Sequence, residues 1–138
     1  SDGDCGGGGS AGWTAATFQN VSAIDATSTA TSGSGITATM TPTTIADNTL
    51  IASGVGFNAT PAGITDGLLC TKRSSTGSPS FGQNVICDSN AAVTPAGAQV
   101  VNLTWSTINT AWTGFSISLV GVSSASQAAG SVMMMSQF

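Results

Sequence analysis

The chain has no histidine, no tyrosine and no glutamate, and its only cations are the neighbours Lys72 and Arg73. These absences remove most enzyme chemistry. A Ser/His/Asp or Cys/His nucleophile pair, a His-ligated zinc and a glutamate general base all need residues the chain lacks. All six acids are aspartates, and four of them, Asp25, Asp47, Asp66 and Asp88, stand beside turn residues (IDAT, ADNT, TDGL, CDSN). Aspartate is favoured there because its carboxylate bonds the local backbone. A glycosidase-type aspartate pair or a Ser/Lys72 dyad is therefore a weak alternative to a non-enzymatic chain, and neither metal nor cofactor is expected.

Charged residues make up 6% of the 138 residues, against about 25% in ordinary soluble domains. The surface must then be built from Ser, Thr, Asn, Ala and Gly. Mixed charges normally keep protein molecules apart, so a chain with so few of them and a positive mean hydropathy is expected to cover its surface with copies of itself, with glycan or with another protein. A net charge of −4 with two adjacent cations offers no stripe for phosphates, which makes nucleic acid a poor partner. The apolar runs fall short of the roughly 18 to 20 residues of a membrane-spanning helix.

Three cysteines allow three pairings. Cys70 and Cys87 lie in strand-like runs on either side of a Ser/Gly/Pro loop, and a bond between them would close about 16 residues, contributing on the order of 3 kcal/mol. Cys5 is left as a candidate intermolecular thiol or a free one. It sits in SDGDCGGGGSAG, residues 1–12, which has too little side chain to pack and reads as a flexible glycine-rich arm. No flanking strand, helix or lysine makes it a phosphate loop.

Residues 13–138 read as one β-sandwich domain. The cleanest alternation runs from Ala98 to Val122, where Val101, Leu103 and Trp105 share one face and Phe115, Ile117 and Leu119 another, so a β-hairpin is expected with Asn102, Thr104, Ser116 and Ser118 turned to solvent. Trp13 to Ile24 is taken as one strand and Ala26 to Gly35 as a loop. Ile36, Ala38 and Met40 alternate with threonines, the mark of a half-exposed strand. Leu50 to Phe57 is apolar or small on both faces and predicts a central buried strand. Leu68 to Arg73 and Phe81 to Asp88 are further strands, and residues 131–138 (SVMMMSQF) a terminal strand that is either paired at home or exchanged between subunits. No window has a capped i, i+3, i+4 stripe. The expected fold is all-β, an antiparallel β-sandwich, immunoglobulin-like or jelly-roll, with 7–9 short strands and little helix.

Three N-x-S/T triplets make Asn20, Asn58 and Asn102 candidate glycosylation sites, and Asn102 is expected to be accessible because it points away from the Val101/Leu103 face. Trp105 shares the core phase. Trp112, and with it Trp13, is the candidate for a subunit contact or for stacking on a sugar ring. Met133, Met135 and Phe138 are candidate contacts at the chain end.

In texture, residues 13–138 resemble the β-sandwich subunits of bacterial or archaeal surface filaments and of phage virions: low charge, Thr/Ser/Ala/Gly-rich, short strands, flexible termini. That resemblance rests on no diagnostic motif and carries no functional residue over. It implies an extracellular or cell-surface structural subunit whose partner is itself, as a homo-oligomer or helical polymer bearing covalent glycans. A virion tail, fibre or decoration protein, or a secreted glycan-binding module, is the alternative.

Overall fold

The computed structural model describes residues 13–28, 30–78, 82–106, 110–121 and 131–137. These residues form twelve strands: β1 (Trp13–Gln19), β2 (Val21–Thr27), β3 (Thr31–Gly35), β4 (Thr37–Met40), β5 (Thr43–Thr44), β6 (Thr49–Phe57), β7 (Thr71–Ser78), β8 (Gly82–Asp88), β9 (Gly97–Ala98), β10 (Val101–Thr104), β11 (Thr110–Gly121) and β12 (Ser131–Gln137). No helix occurs among them, and so none long and apolar enough to cross a membrane. The all-β, antiparallel expectation holds, with more strands than the 7–9 foreseen.

A six-stranded sheet forms the middle layer in the order β2-β11-β6-β8-β7, with β3 pairing on the same side of β11 as β2. β2 meets the end of β11 at Ile117 to Gly121, and β3 meets its start at Thr110 to Gly114. Together they make one interrupted edge strand. Ser28 bridges the gap: its N–H donates to the Ser116 carbonyl at 2.8 Å, and its hydroxyl accepts the Ser116 N–H at 2.6 Å.

One face of this sheet is covered by a ribbon. β4 pairs with β10, and β5 with β9, in a single continuing register, and the Gln99 N–H donates to the Pro42 carbonyl across the interruption. Proline has no N–H to continue a ladder, which accounts for the break. Ala38, Met40, Val101, Leu103 and Trp105 from the ribbon meet Ile51, Val55, Phe57, Val85, Cys87 and Trp112 from the sheet in the larger hydrophobic cluster. Gly114 permits the close approach, since a Cβ there would stand 2.8 Å from the Met40 sulfur. On the opposite face β1 and β12 pair with each other along seven residues and lie over the sheet. Beneath them Ala52, Ile86 and Leu119 form the second cluster, with Phe18, Phe115 and Ile117 packed against it.

Several expectations change. The foreseen hairpin between Val101–Trp105 and Phe115–Leu119 does not form, because β10 pairs with β4 in the ribbon while β11 pairs with β6, β2 and β3 in the sheet. Ser116 and Ser118 are fully buried rather than solvated. Their hydroxyls find partners: Ser116 bonds Ser53 at 2.7 Å, and Ser118 donates to Asp25 at 3.2 Å. A buried hydroxyl with a partner costs little, so serine serves here as an interior residue. The first strand breaks in two at Asn20, whose φ of 58° lies in the left-handed region. Ala26 to Gly35 carries the end of β2 and all of β3, not a loop. The Leu68 to Arg73 run holds a tight turn before β7, with Leu69 at φ 50° and Gly67 and Cys70 exchanging backbone bonds.

Candidate interaction surface

The chemistry-bearing side chains are mostly occupied in holding loops. Asp25 accepts the N–H groups of Ile45 and Ala46, Asp47 that of Ala96, Asp66 that of Lys72, and Asp88 that of Asn90. Asp66 and Asp88 show the local backbone bonding that their turn context predicts, whereas Asp25 and Asp47 hold segments 20 to 49 residues away in sequence. Asp88 is buried and also takes a two-pronged contact from Arg73, whose Nε and an Nη each lie 2.7 Å from a carboxylate oxygen. That hydrogen-bonded pairing raises the Arg73 pKa above its ordinary value. The same guanidinium reaches Asn90 Oδ1 at 2.6 Å, so the chain's one arginine pins the end of β8 to β7.

Cys70 and Cys87 are joined in a disulfide that ties the start of β7 to β8. Both lie within the larger cluster, so the bond is part of the core rather than a surface staple. Cys5 lies outside the described residues. A shallow hollow of about 200 Å³ near the β1–β2 turn is lined by Phe18, Asn20, Val21, Leu50 and Leu119 among others, with no ionisable group in its wall. It falls below the roughly 300 to 1,000 Å³ of small-molecule pockets.

The candidate contact residues separate. Trp112 is buried, at 7% exposure, and its indole lies beneath Gly33 of β3, with ring atoms 3.0 to 3.2 Å from where a Gly33 Cβ would stand. An exposed role for Trp112 is therefore corrected: it shares the phase of Gly114, Ser116 and Ser118, the face turned to the ribbon. Its Nε1 has no hydrogen-bond partner among the described residues. Trp105 is buried as expected and meets Phe57 edge to face, ring centroids 4.8 Å apart. The side chains of Trp13, Met133 and Met135, and the whole of Phe138, lie outside the described residues. β12 itself pairs with β1 of its own chain.

The acceptor asparagines separate too. Asn20 is exposed at the β1–β2 turn. Asn58 is also exposed, its Oδ1 accepting from the Thr110 hydroxyl at 2.6 Å. Asn102 is half-buried, contrary to expectation, because the segment before β7 folds over it and the Leu68 N–H donates to its Oδ1 at 2.8 Å. Sequence phase gave its direction correctly but carried no sign of that covering loop.

What the surface offers is uncharged. Thr37 and Thr39 face outward from β4, Ser32, Gly33 and Ser34 are exposed on β3, and Ser75, Thr76 and Gly77 on β7. Ile24, Ile36, Ile45 and Leu68 are each more than half exposed. This interrupted edge of β2 and β3 is the feature sequence reading missed; a fully exposed strand has no hydrophobic period to announce it. No protein-family model, curated protein or solved structure matches the chain.

Proposed function

We propose that the protein is a non-enzymatic structural subunit that assembles with copies of itself into an extracellular, pilus-like filament, with glycan on its accessible acceptor asparagines. The observation that carries this reading is a surface nearly free of charge around a sheet whose outer strands β2, β3 and β7 have no further strand partner among the described residues, the combination that soluble monomers avoid. Exposed isoleucines beside those edges add to it. A secreted glycan-binding module loses Trp112, the first of its two candidate stacking rings, which is buried; the side chain of Trp13, the other, lies outside the described residues.

Negative-stain microscopy of the purified full chain tests the reading. Filaments or large regular oligomers are expected; a field of uniform monomers at all concentrations contradicts it. Intact mass before and after deglycosylation tests the second half, with sugar expected at Asn20 and Asn58 and not at Asn102.

A further inference from the structure

The three acceptor asparagines differ in what stands beside them. Asn58 accepts the Thr110 hydroxyl at 2.6 Å, and the phenylalanine before it, Phe57, is buried edge to face against Trp105. Asn102 accepts the Leu68 N–H beneath the segment before β7. Asn20 is exposed at the turn between β1 and β2, and Phe18 precedes it by two residues. The left-handed backbone at Asn20, φ 58°, folds the chain back there, and Phe18, Asn20 and Val21 all line one hollow of about 200 Å³. Leu50 and Leu119 extend its apolar wall, and Gln19 and Asn48 add two carboxamides. Gly121, paired with Val21, leaves room beside them: a Cβ there would meet no described atom nearer than the Asn20 carbonyl oxygen, at 3.9 Å.

We infer that this hollow seats the first sugar ring of a glycan carried on Asn20, with the Phe18 ring as its platform. The inference rests on the glycan half of the proposed reading and deepens it by naming where the sugar lies. The chemistry of the wall selects a pyranose. Its C–H face suits an aromatic ring and aliphatic neighbours, and the carboxamides of Gln19 and Asn48 can bond its hydroxyls. The hollow is small beside the roughly 300 to 1,000 Å³ of a free ligand's pocket. A sugar bonded to Asn20 needs less, because the bond keeps its local concentration high and leaves little freedom to lose on contact. Attachment is glycosyl transfer by a separate enzyme from an activated glycosyl phosphate donor. The bond from the anomeric carbon to the phosphate oxygen breaks, a bond from that carbon to Asn20 Nδ2 forms, and the amide proton leaves as the phosphate departs. Phe18 also packs against the smaller hydrophobic cluster. A sugar that rests on it only in the folded chain therefore stabilises the fold.

The test uses the full chain secreted from a host that glycosylates N-x-S/T triplets, with its glycans trimmed to a single N-acetylglucosamine. Each protein is compared with its Asn20→Gln form in two backgrounds, native Phe18 and Phe18→Leu, so that sugar on the other asparagines cancels. With native Phe18 the Asn20 sugar is expected to raise the thermal unfolding midpoint by about 2–4 °C, and with Phe18→Leu by less than half of that. Equal shifts in the two backgrounds, or no shift with native Phe18, overturn the inference, since a sugar acting only on the unfolded chain is indifferent to Phe18. Should Phe18→Leu fail to fold, nuclear Overhauser contacts in the parent decide: cross-peaks between the sugar ring protons and the Phe18 ring protons support the seating, and their absence overturns it. A peptide map with no sugar on Asn20 overturns this inference together with the glycan half of the reading. Sugar present with equal shifts removes the seating alone. Filament formation is read separately and follows neither result.

Discussion

Strands β10 and β11 look alike in the sequence, each alternating apolar with polar residues, yet they do opposite things with the polar set. In β10 the alternation is that of a one-sided strand: Val101 and Leu103 are fully buried while Asn102 and Thr104 are half open. In β11 both faces are packed, against the ribbon on one side and against Ala16 and Phe18 of β1 in the smaller cluster on the other. Its serines are the more deeply buried set, at 0% exposure for Ser116 and Ser118. Alternation therefore reports that a strand has two faces, and only the neighbouring layers decide which face is wet. A small hydroxyl with a partner is as good an interior residue as a leucine where layers come close.

The sharpest way to break this comparison is a cation on each polar face, that of β11 and that of the ribbon which β10 forms with β4. Ser116→Lys buries a charge between Ser53 and Met40 and is expected to cost about 3–5 kcal/mol, a large part of the roughly 5–15 kcal/mol of a domain. Thr39→Lys, across from Asn102 in the ribbon, is expected to stay within about 0.5 kcal/mol. Urea unfolding of both checks the contrast, and equal losses would mean that the two polar sets are not different in kind.

Leu103→Ala comes next, removing a fully buried side chain from the larger cluster, at about 2–5 kcal/mol. Replacing both Cys70 and Cys87 by alanine should cost about 3 kcal/mol, visible as a lower midpoint in thermal unfolding. The smallest effect sharpens the serine argument. Ser53→Ala alone removes one of the Ser116 hydroxyl's partners and is expected to cost about 1 kcal/mol, whereas adding Ser116→Ala should give part of that back, since removing both partners is cheaper than removing one. A double-mutant cycle with no coupling would contradict the bond.

Where burial imposed a period, the sequence was legible. β6 and β8 were foreseen with nearly the right bounds, since a run such as LIASGVGF has no wet face to confuse the pattern. The Cys70–Cys87 bond was foreseen among three possible pairings, although most of the Ser/Gly/Pro stretch expected as a loop between them is strand β7. Elsewhere the signal lay in a residue's partner across the sheet. β3 was missed because an exposed edge of Thr, Ser and Gly has no apolar phase. The hairpin was mistaken because a short polar link suggests pairing, while β10 had a partner some sixty residues earlier in β4. Trp112 was read as a surface residue because Gly33, which leaves space for its indole, lies far away in sequence. Its phase with Gly114, Ser116 and Ser118 was the available clue, hidden by taking serine as a sign of solvent.

The same lesson bears on function, because the Ser, Thr and Gly residues that hide their place in the sheet are also what leaves the described surface nearly free of charge. The most direct test is sedimentation of the purified full chain over a concentration series in low salt and in about 0.5 M salt. Association through uncharged edges and apolar side chains is expected to grow with concentration and to persist at high salt, where exposed charge pairs are screened. A single monomeric species throughout, or association that disappears as salt is added, would contradict the account.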